Sequence, residues 1–172
     1  MDYPLISVCI ITYNHEEFIL DCLEGVIRQD YPNIEVIISN DCSVDGTHLL
    51  ISDFVSKNKR EGIVFRYFNQ DKNLGVSRNF LFSLKKCEGD FIAVCEGDDY
   101  WFDDSFLSKN FDFLIKNKNY AFALSNPLII DKNGSMLGNI VLKFPNSNSD
   151  FTFKNIALGD NSGLQSMLFR VD

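Results

Sequence analysis

Positive charge is scarce in this 172-residue chain: 16 lysines and arginines stand against 24 aspartates and glutamates, for a formal net charge of −8. Binding to a phosphate backbone needs a basic face. No basic run appears, and "KNKR" (Lys57–Arg60) reads as the solvated end of a helix, so nucleic acid is not an expected partner. Histidine is scarcer still: His15 and His48 lie too far apart in sequence to suggest a zinc set. Cys9, Cys22, Cys42, Cys87 and Cys95 are odd in number, lack C-x-x-C spacing and sit mostly inside apolar runs. That pattern predicts buried free thiols in a reducing, cytoplasmic setting. No apolar stretch has the length to span a bilayer. Pro4 and "LISVCII" follow Met1 without a basic n-region or cleavage site, so no leader peptide is expected. The first apolar run is not followed by G-x-G-x-x-G, which argues against a dinucleotide-binding dehydrogenase.

What the chain does have is apolar bulk, 45% hydrophobic residues with 16 phenylalanines, enough for one domain with a sizeable core. Leu5–Ile11 is a continuous, β-branched run suited to a strand buried on both faces. Phe18, Ile19, Cys22, Leu23, Val26 and Ile27 then fall at helical spacing, closed by "DYPN". The alternation continues with a strand over Ile34–Ser39 and a helix opened by Asp45-Gly46-Thr47 whose inner face is Leu50, Ile51, Phe54 and Val55. A strand over Ile63–Phe68 follows, then a helix over Ser77–Cys87 with Phe80, Leu81 and Leu84 inward. Last come a strand over Asp90–Cys95 and a helix capped near Asp103–Ser105, with Leu107, Phe111, Leu114 and Ile115 on one side. Strands alternating with helices predict an α/β fold with a mostly parallel, doubly wound sheet. After Tyr120 the pattern changes to strand, turn ("KNG"), strand, a loop at Pro145–Asp150, and a final strand within Ser162–Arg170, which predicts a partial mixed or antiparallel part.

In an open α/β sheet, ligands bind beyond the carboxyl ends of the parallel strands. Each expected strand delivers a polar cluster to that edge: "TYNHE" (Thr12–Glu16), "NDCSVDGT" (Asn40–Thr47), "NQDKNLGVSRN" (Asn69–Asn79) and "EGDDYW" (Glu96–Trp101). Taken singly, Asn14 could merely cap the first helix, and the Asp45 and Asn73 stretches could be turns before helices. Asp98 and Asp99 are harder to dismiss, because they leave a buried strand directly and three carboxylates fall within four positions. Such groups repel one another and are costly to desolvate alone. Closely spaced carboxylates hold Mg²⁺ or Mn²⁺, whose open positions take phosphate oxygens. Asp41 is placed to accept a hydrogen bond from a base N–H, Tyr13 offers a flat face for stacking, and Arg78 can balance phosphate charge.

The stretches "ISVCIITYNHEEFILDCLEGVIRQDYPNIEVIISNDCSVDGT", "NLGVSRN" and "GDFIAVCEGDDYW", in unbroken order from Pro4 to Leu114, resemble the family 2 glycosyltransferases, inverting enzymes with the GT-A fold. The resemblance implies that Thr12 and Tyr13, with Asn14 and Glu16 in the same loop, line the nucleoside pocket. It implies that Asp41 binds the base, usually uracil, and that Asn73, Gly75 and Arg78 belong near the base and diphosphate. Glu96-Gly97-Asp98 stands at the family's Asp-x-Asp signature, with Asp98 and Asp99 as metal ligands for Mg²⁺ or Mn²⁺. Asn40 departs from the pattern where many members carry the first of two aspartates, and Glu96 is one methylene longer than the usual Asp.

The chain is thus expected to be a single GT-A domain over 1–172, with a nucleotide-sugar-binding half over 4–119 and the start of the acceptor-side region over 120–172. The implied reaction is inverting transfer from a nucleoside diphosphate-sugar, a UDP-sugar by family habit, to a hydroxyl of a glycan or lipid-linked acceptor in surface polysaccharide synthesis. Cytoplasmic work is expected, with possible peripheral association at the inner membrane face. No residue matches the family's acceptor-activating base: Asp160 falls early and Asp172 is terminal, so the base is expected beyond Asp172. Two other classes remain open, a nucleotide-sugar-binding module without catalysis and a receiver domain phosphorylated on aspartate.

Overall fold

A computed structural model describes residues 3–125, 127–131, 134–137 and 167–171. Six strands, β1 (Ile6–Thr12), β2 (Ile34–Asn40), β3 (Ile63–Asn69), β4 (Phe91–Glu96), β5 (Phe122–Leu124) and β6 (Met167–Arg170), form one sheet in the order β3-β2-β1-β4-β6-β5. The first four are mutually parallel, and β6 runs antiparallel to both β4 and β5. Helices α1 (Ile19–Ile27), α2 (Thr47–Lys57), α3 (Val76–Leu84) and α4 (Phe106–Lys116) fill the connections. The chain winds from β1 outward to β3 and then returns to the other side of β1 for β4. The sheet therefore reverses its winding between β1 and β4, and in open α/β sheets ligands bind beyond the strand ends at such a point.

The apolar runs become strands because β1 and β2 are buried along their whole length. Their two faces are not alike. Ile6, Val8 and Ile10 of β1 join Val36, Ile38, Ala93 and Cys95 in the main core, closed by Ile19, Leu23 and Val26 of α1, Ile51 of α2 and Leu107 and Leu114 of α4. The opposite face carries Ser7, Glu35 and Ser39, all buried. Glu35 accepts a hydrogen bond there from the Ser7 hydroxyl and another from Arg66 Nη1 at 3.2 Å.

That polar face explains a difference from expectation in α3. Phe80, Leu81 and Leu84 were expected inward, but Leu81 is 55% exposed and the buried residues are Asn79 and Ser83. Asn79 meets the sheet through hydrogen bonds: the Ser39 hydroxyl donates to its Oδ1 at 2.6 Å, and its Nδ2 donates to the Ser39 carbonyl at 3.0 Å. On α4, Ile115 is likewise exposed, and Asn110 takes the buried position, donating to the Phe106 carbonyl. After Tyr120, Ile130 and Met136 form an antiparallel bridge, and the Gly134 N–H donates to the Asp131 carbonyl. The loop expected at Pro145–Asp150, Asp160 and Asp172 all lie outside the described residues. No helix among the described residues is long and apolar enough to cross a membrane.

Candidate functional site

Strand register gathers the polar clusters. Thr12 lies opposite Asn40, Asn40 opposite Asn69, and Glu96 opposite Ile11, so all four parallel strands end in one polar row. At the end of β4, Glu96, Asp98 and Asp99 each offer a carboxylate oxygen, and these atoms lie within 4.8 Å of one another. Asp98 is exposed, while Glu96 and Asp99 are half-buried. Burial, followed by the neighbouring Asp98 and Glu96 charges, pushes the Asp99 carboxyl up to about 6. Three hard oxygen donors this close together suit a divalent cation of the Mg²⁺ or Mn²⁺ kind.

Gly97 lets this loop lie close against β1. A Cβ there would stand 2.6 Å from Thr12 Oγ1 and 2.9 Å from His15 Nδ1. Both of those atoms are buried and lack a hydrogen-bond partner among the described residues. The His15 ring turns its other nitrogen outward, with Nε2 3.8 Å from Asp98 Oδ2. Sequence reasoning passed over His15 while taking Thr12, Tyr13, Asn14 and Glu16 around it. Its membership in "TYNHE" was the only available signal.

The loop after β1 is fastened to the loop after β2. Asn14 does not cap α1; Phe18 holds that position. With φ at 57°, Asn14 donates its N–H to Ser43 Oγ and accepts the Val44 N–H on Oδ1 at 2.9 Å. The His15 N–H goes to Thr47 Oγ1, and Glu16 receives the Gly46 N–H on Oε2. Asn40 spends its amide within the protein, accepting from Ser43 and donating to Asn69 Oδ1 at 2.7 Å. Asp41, 3% exposed, accepts the Leu74 N–H at 2.7 Å and the Gly75 N–H at 2.9 Å. Asn73 also accepts the Gly75 N–H, and Gly75 itself, at φ 80° and ψ 154°, adopts a conformation reserved for glycine. Arg78 follows in the first turn of α3, exposed and with no ion-pair partner among the described residues. Tyr13, at 43% exposure, presents a ring at the end of β1.

Behind the acidic loop, α1 acts as a brace. Gly25 packs so tightly on the next segment that a Cβ would meet the Trp101 carbonyl oxygen at 2.7 Å. Buried Gln29 donates to the Gly25 and Asp103 carbonyls and accepts the Leu107 N–H. Trp101 is buried against Phe106, with ring centroids 4.5 Å apart, whereas Tyr100 and Phe102 on either side are exposed.

The sequence profile of the family described as Glycosyl transferase family 2 matches residues 7–171. The putative teichuronic acid biosynthesis glycosyltransferase TuaG of Bacillus subtilis is 28% identical over 156 residues, covering 91% of this chain and 60% of that protein. In structure, S. aureus TarS 1–349 in complex with UDP matches with a TM-score of 0.70 at 22% identity, over 96% of this chain and 46% of that one. The mannosyltransferase PcManGT of Pyrobaculum calidifontis, in complex with GDP-Man and Mn²⁺, matches with a TM-score of 0.65 at 19% identity, over 72% and 36%. These likenesses establish the GT-A fold expected from the motifs. The chain spans about half the length of several curated relatives. With motif order, sheet topology and profile in agreement, the chain belongs to glycosyl transferase family 2.

Proposed function

We propose that this chain binds a nucleoside diphosphate-sugar and forms the donor side of an inverting glycosyltransferase acting in surface polysaccharide synthesis. Residues 4–119 hold the donor, with UDP-sugars the first class to test, and residues 120–172 begin the acceptor side, which meets a glycan or lipid-linked hydroxyl. The observation that carries the reading is the Glu96, Asp98 and Asp99 cluster, its oxygens within 4.8 Å, at the strand ends where the sheet reverses its winding between β1 and β4. The names of relatives support it: a teichuronic acid glycosyltransferase, a UDP complex, and a GDP-Man complex with Mn²⁺.

Each part of the site has a task on this reading. Tyr13 stacks on the base beside Thr12 and Asn14, and Asp41 directs the lone pairs left by Leu74 and Gly75 at a base N–H. Glu16 keeps the wall of the pocket fixed through Gly46. Asn73 and Gly75 shape the turn by the diphosphate, and Arg78 pairs with a phosphate oxygen. Asp98 and Asp99, with Glu96 in support and Gly97 giving clearance, hold Mg²⁺ or Mn²⁺. When bound, that cation supplies positive charge against the departing diphosphate. The acceptor hydroxyl attacks the anomeric carbon from the face opposite the diphosphate, and its proton passes to a base that none of these residues supplies.

Titration calorimetry of the chain with UDP, GDP and TDP, each with and without Mn²⁺ and beside Asp98→Ala, tests the reading. Metal-dependent binding of one nucleotide, lost in the variant, is expected. If the chain binds none of the three, and a longer chain of the same protein binds none either, the donor reading is wrong.

A further inference from the structure

We infer that His15 is a positioning residue for Asp98, with its Nε2–H directed at the Asp98 carboxylate; this rests on the reading of the acidic cluster as a dication site. Four observations meet at this ring. Its backbone N–H is fixed by Thr47 Oγ1 at 2.9 Å, so the residue is anchored from the α2 side. Its Nε2 faces Asp98 Oδ2 at 3.8 Å. Its Nδ1 is buried without a partner among the described residues, and so is Thr12 Oγ1. Both orphaned atoms lie within 2.9 Å of one point, the place a Gly97 Cβ would occupy.

The chemistry of the two orphans is complementary. A neutral imidazole has one donor nitrogen and one acceptor nitrogen. The nitrogen that faces a carboxylate must carry the hydrogen, because an acceptor there would oppose Asp98. Nδ1 is then a buried acceptor, and the nearby group able to donate to it is the Thr12 hydroxyl. A buried N–H without an acceptor would be the costlier arrangement. The two atoms are not hydrogen-bonded as they stand; a bond formed between them as the loop closes would hold the tautomer that aims a hydrogen at Asp98. Contacts of this sort are often long in an unliganded site and tighten when it is loaded. The 3.8 Å separation needs only a small closure of the loop to become a hydrogen bond.

With Oδ2 of Asp98 held by His15, the carboxylate keeps a fixed orientation toward Glu96 and Asp99 in place of rotating freely at an exposed position. Outer partners of metal-binding carboxylates act in this way elsewhere. The glycine at position 97 has the matching role of admitting both Thr12 and His15 beneath the loop.

The test is Mn²⁺ binding to the 172-residue chain, followed by the loss of the free-ion electron paramagnetic resonance signal, for the unaltered protein, His15→Gln, His15→Phe and Thr12→Val. Glutamine can place a donor nitrogen near the position of Nε2, whereas phenylalanine keeps the ring shape and has no donor. The expected result is Mn²⁺ affinity within about 3-fold of the unaltered chain for His15→Gln and a loss of roughly 10-fold or more for His15→Phe. Thr12→Val should fall between them. Melting temperatures in chelator serve as the folding control, and His15→Phe should melt within a few degrees of the unaltered chain. Mn²⁺ binding by His15→Phe as tight as that of the unaltered chain overturns the inference and leaves the dication reading intact. Equal losses in His15→Gln and His15→Phe overturn it too, since the donor would then be irrelevant. If the unaltered chain takes up no Mn²⁺, the dication reading fails and this inference falls with it.

Discussion

The Asp41 carboxylate accepts the Gly75 N–H at 2.9 Å, so one buried side chain at the end of β2 fixes the turn from which α3 starts. The same carboxylate takes the Leu74 N–H on its other oxygen. Asp41→Ala orphans the Leu74 N–H and leaves the Gly75 N–H to Asn73 alone, and should cost about 2–3 kcal/mol of unfolding free energy, the range for hydrogen bonds to a charged group. Urea denaturation measures that loss. Nucleotide affinity should fall with it, because Asn73, Gly75 and Arg78 lose their common anchor.

Gly97→Ala tests the closeness of the acidic loop to β1. The added methyl would stand 2.7 Å from Thr12 Cβ, and neither the strand nor the loop can retreat without breaking the bond from the Gly97 N–H to the Ile11 carbonyl. A destabilisation of roughly 1–3 kcal/mol is expected from overpacking of this kind. A chain that accepts alanine at no cost, measured by thermal unfolding, would mean the loop is not seated as described.

The pH dependence of the metal-free chain follows from Asp99, whose carboxyl sits at about 6 in the fold against an ordinary 3.8. The folded state therefore binds a proton more tightly than the unfolded chain. Stability should rise as pH falls from about 7 toward 4 and should be lost again as pH rises through about 6. The gain is of order 1–3 kcal/mol, reduced by solvent reaching a half-buried group. Asp99→Asn should flatten this dependence in chelator and weaken Mn²⁺ binding at pH 7. Melting curves at several pH values, with and without Mn²⁺, read both effects.

Gln29→Leu should be among the more damaging single changes. It leaves the Leu107 N–H without its acceptor at the start of α4 and removes the donor shared by the Gly25 and Asp103 carbonyls. A loss of about 2–4 kcal/mol is expected from buried unpaired groups. Hydrogen exchange at Leu107 should accelerate first.

Much of the parallel half was legible in the sequence because its signals are local. Leu5–Ile11 reads as a doubly buried strand, and the structure places β1 at Ile6–Thr12 in the middle of the sheet. The order of polar clusters also anticipated that they share one edge of the sheet, since βα units send every strand end to that edge. The face of α3 was not legible in this way. Phe80, Leu81 and Leu84 are the apolar choice, yet the sheet meets that helix with Ser39, and only a three-dimensional register shows that Asn79 is the matching partner. Asn14 was misread as a possible cap for a similar reason, because its bonds run to Ser43 and Val44 in another loop. His15 escaped notice because its significance lies in an orphaned nitrogen and a neighbour more than eighty positions away, and neither leaves a trace in spacing.

The placement of β6 has a kinetic consequence. β2 lies between strands near it in sequence, but β4 is flanked by two distant ones, β1 on one side and β6 on the other. Closing loops of that length is entropically expensive. Until Leu168 pairs with Ala93, β4 presents an open row of backbone donors and acceptors beside the site, the kind of edge that recruits a second chain. Refolding at high protein concentration should therefore lose material to aggregates while that edge is open, and substitutions in β6 should reduce yield more than they reduce the stability of the protein once folded.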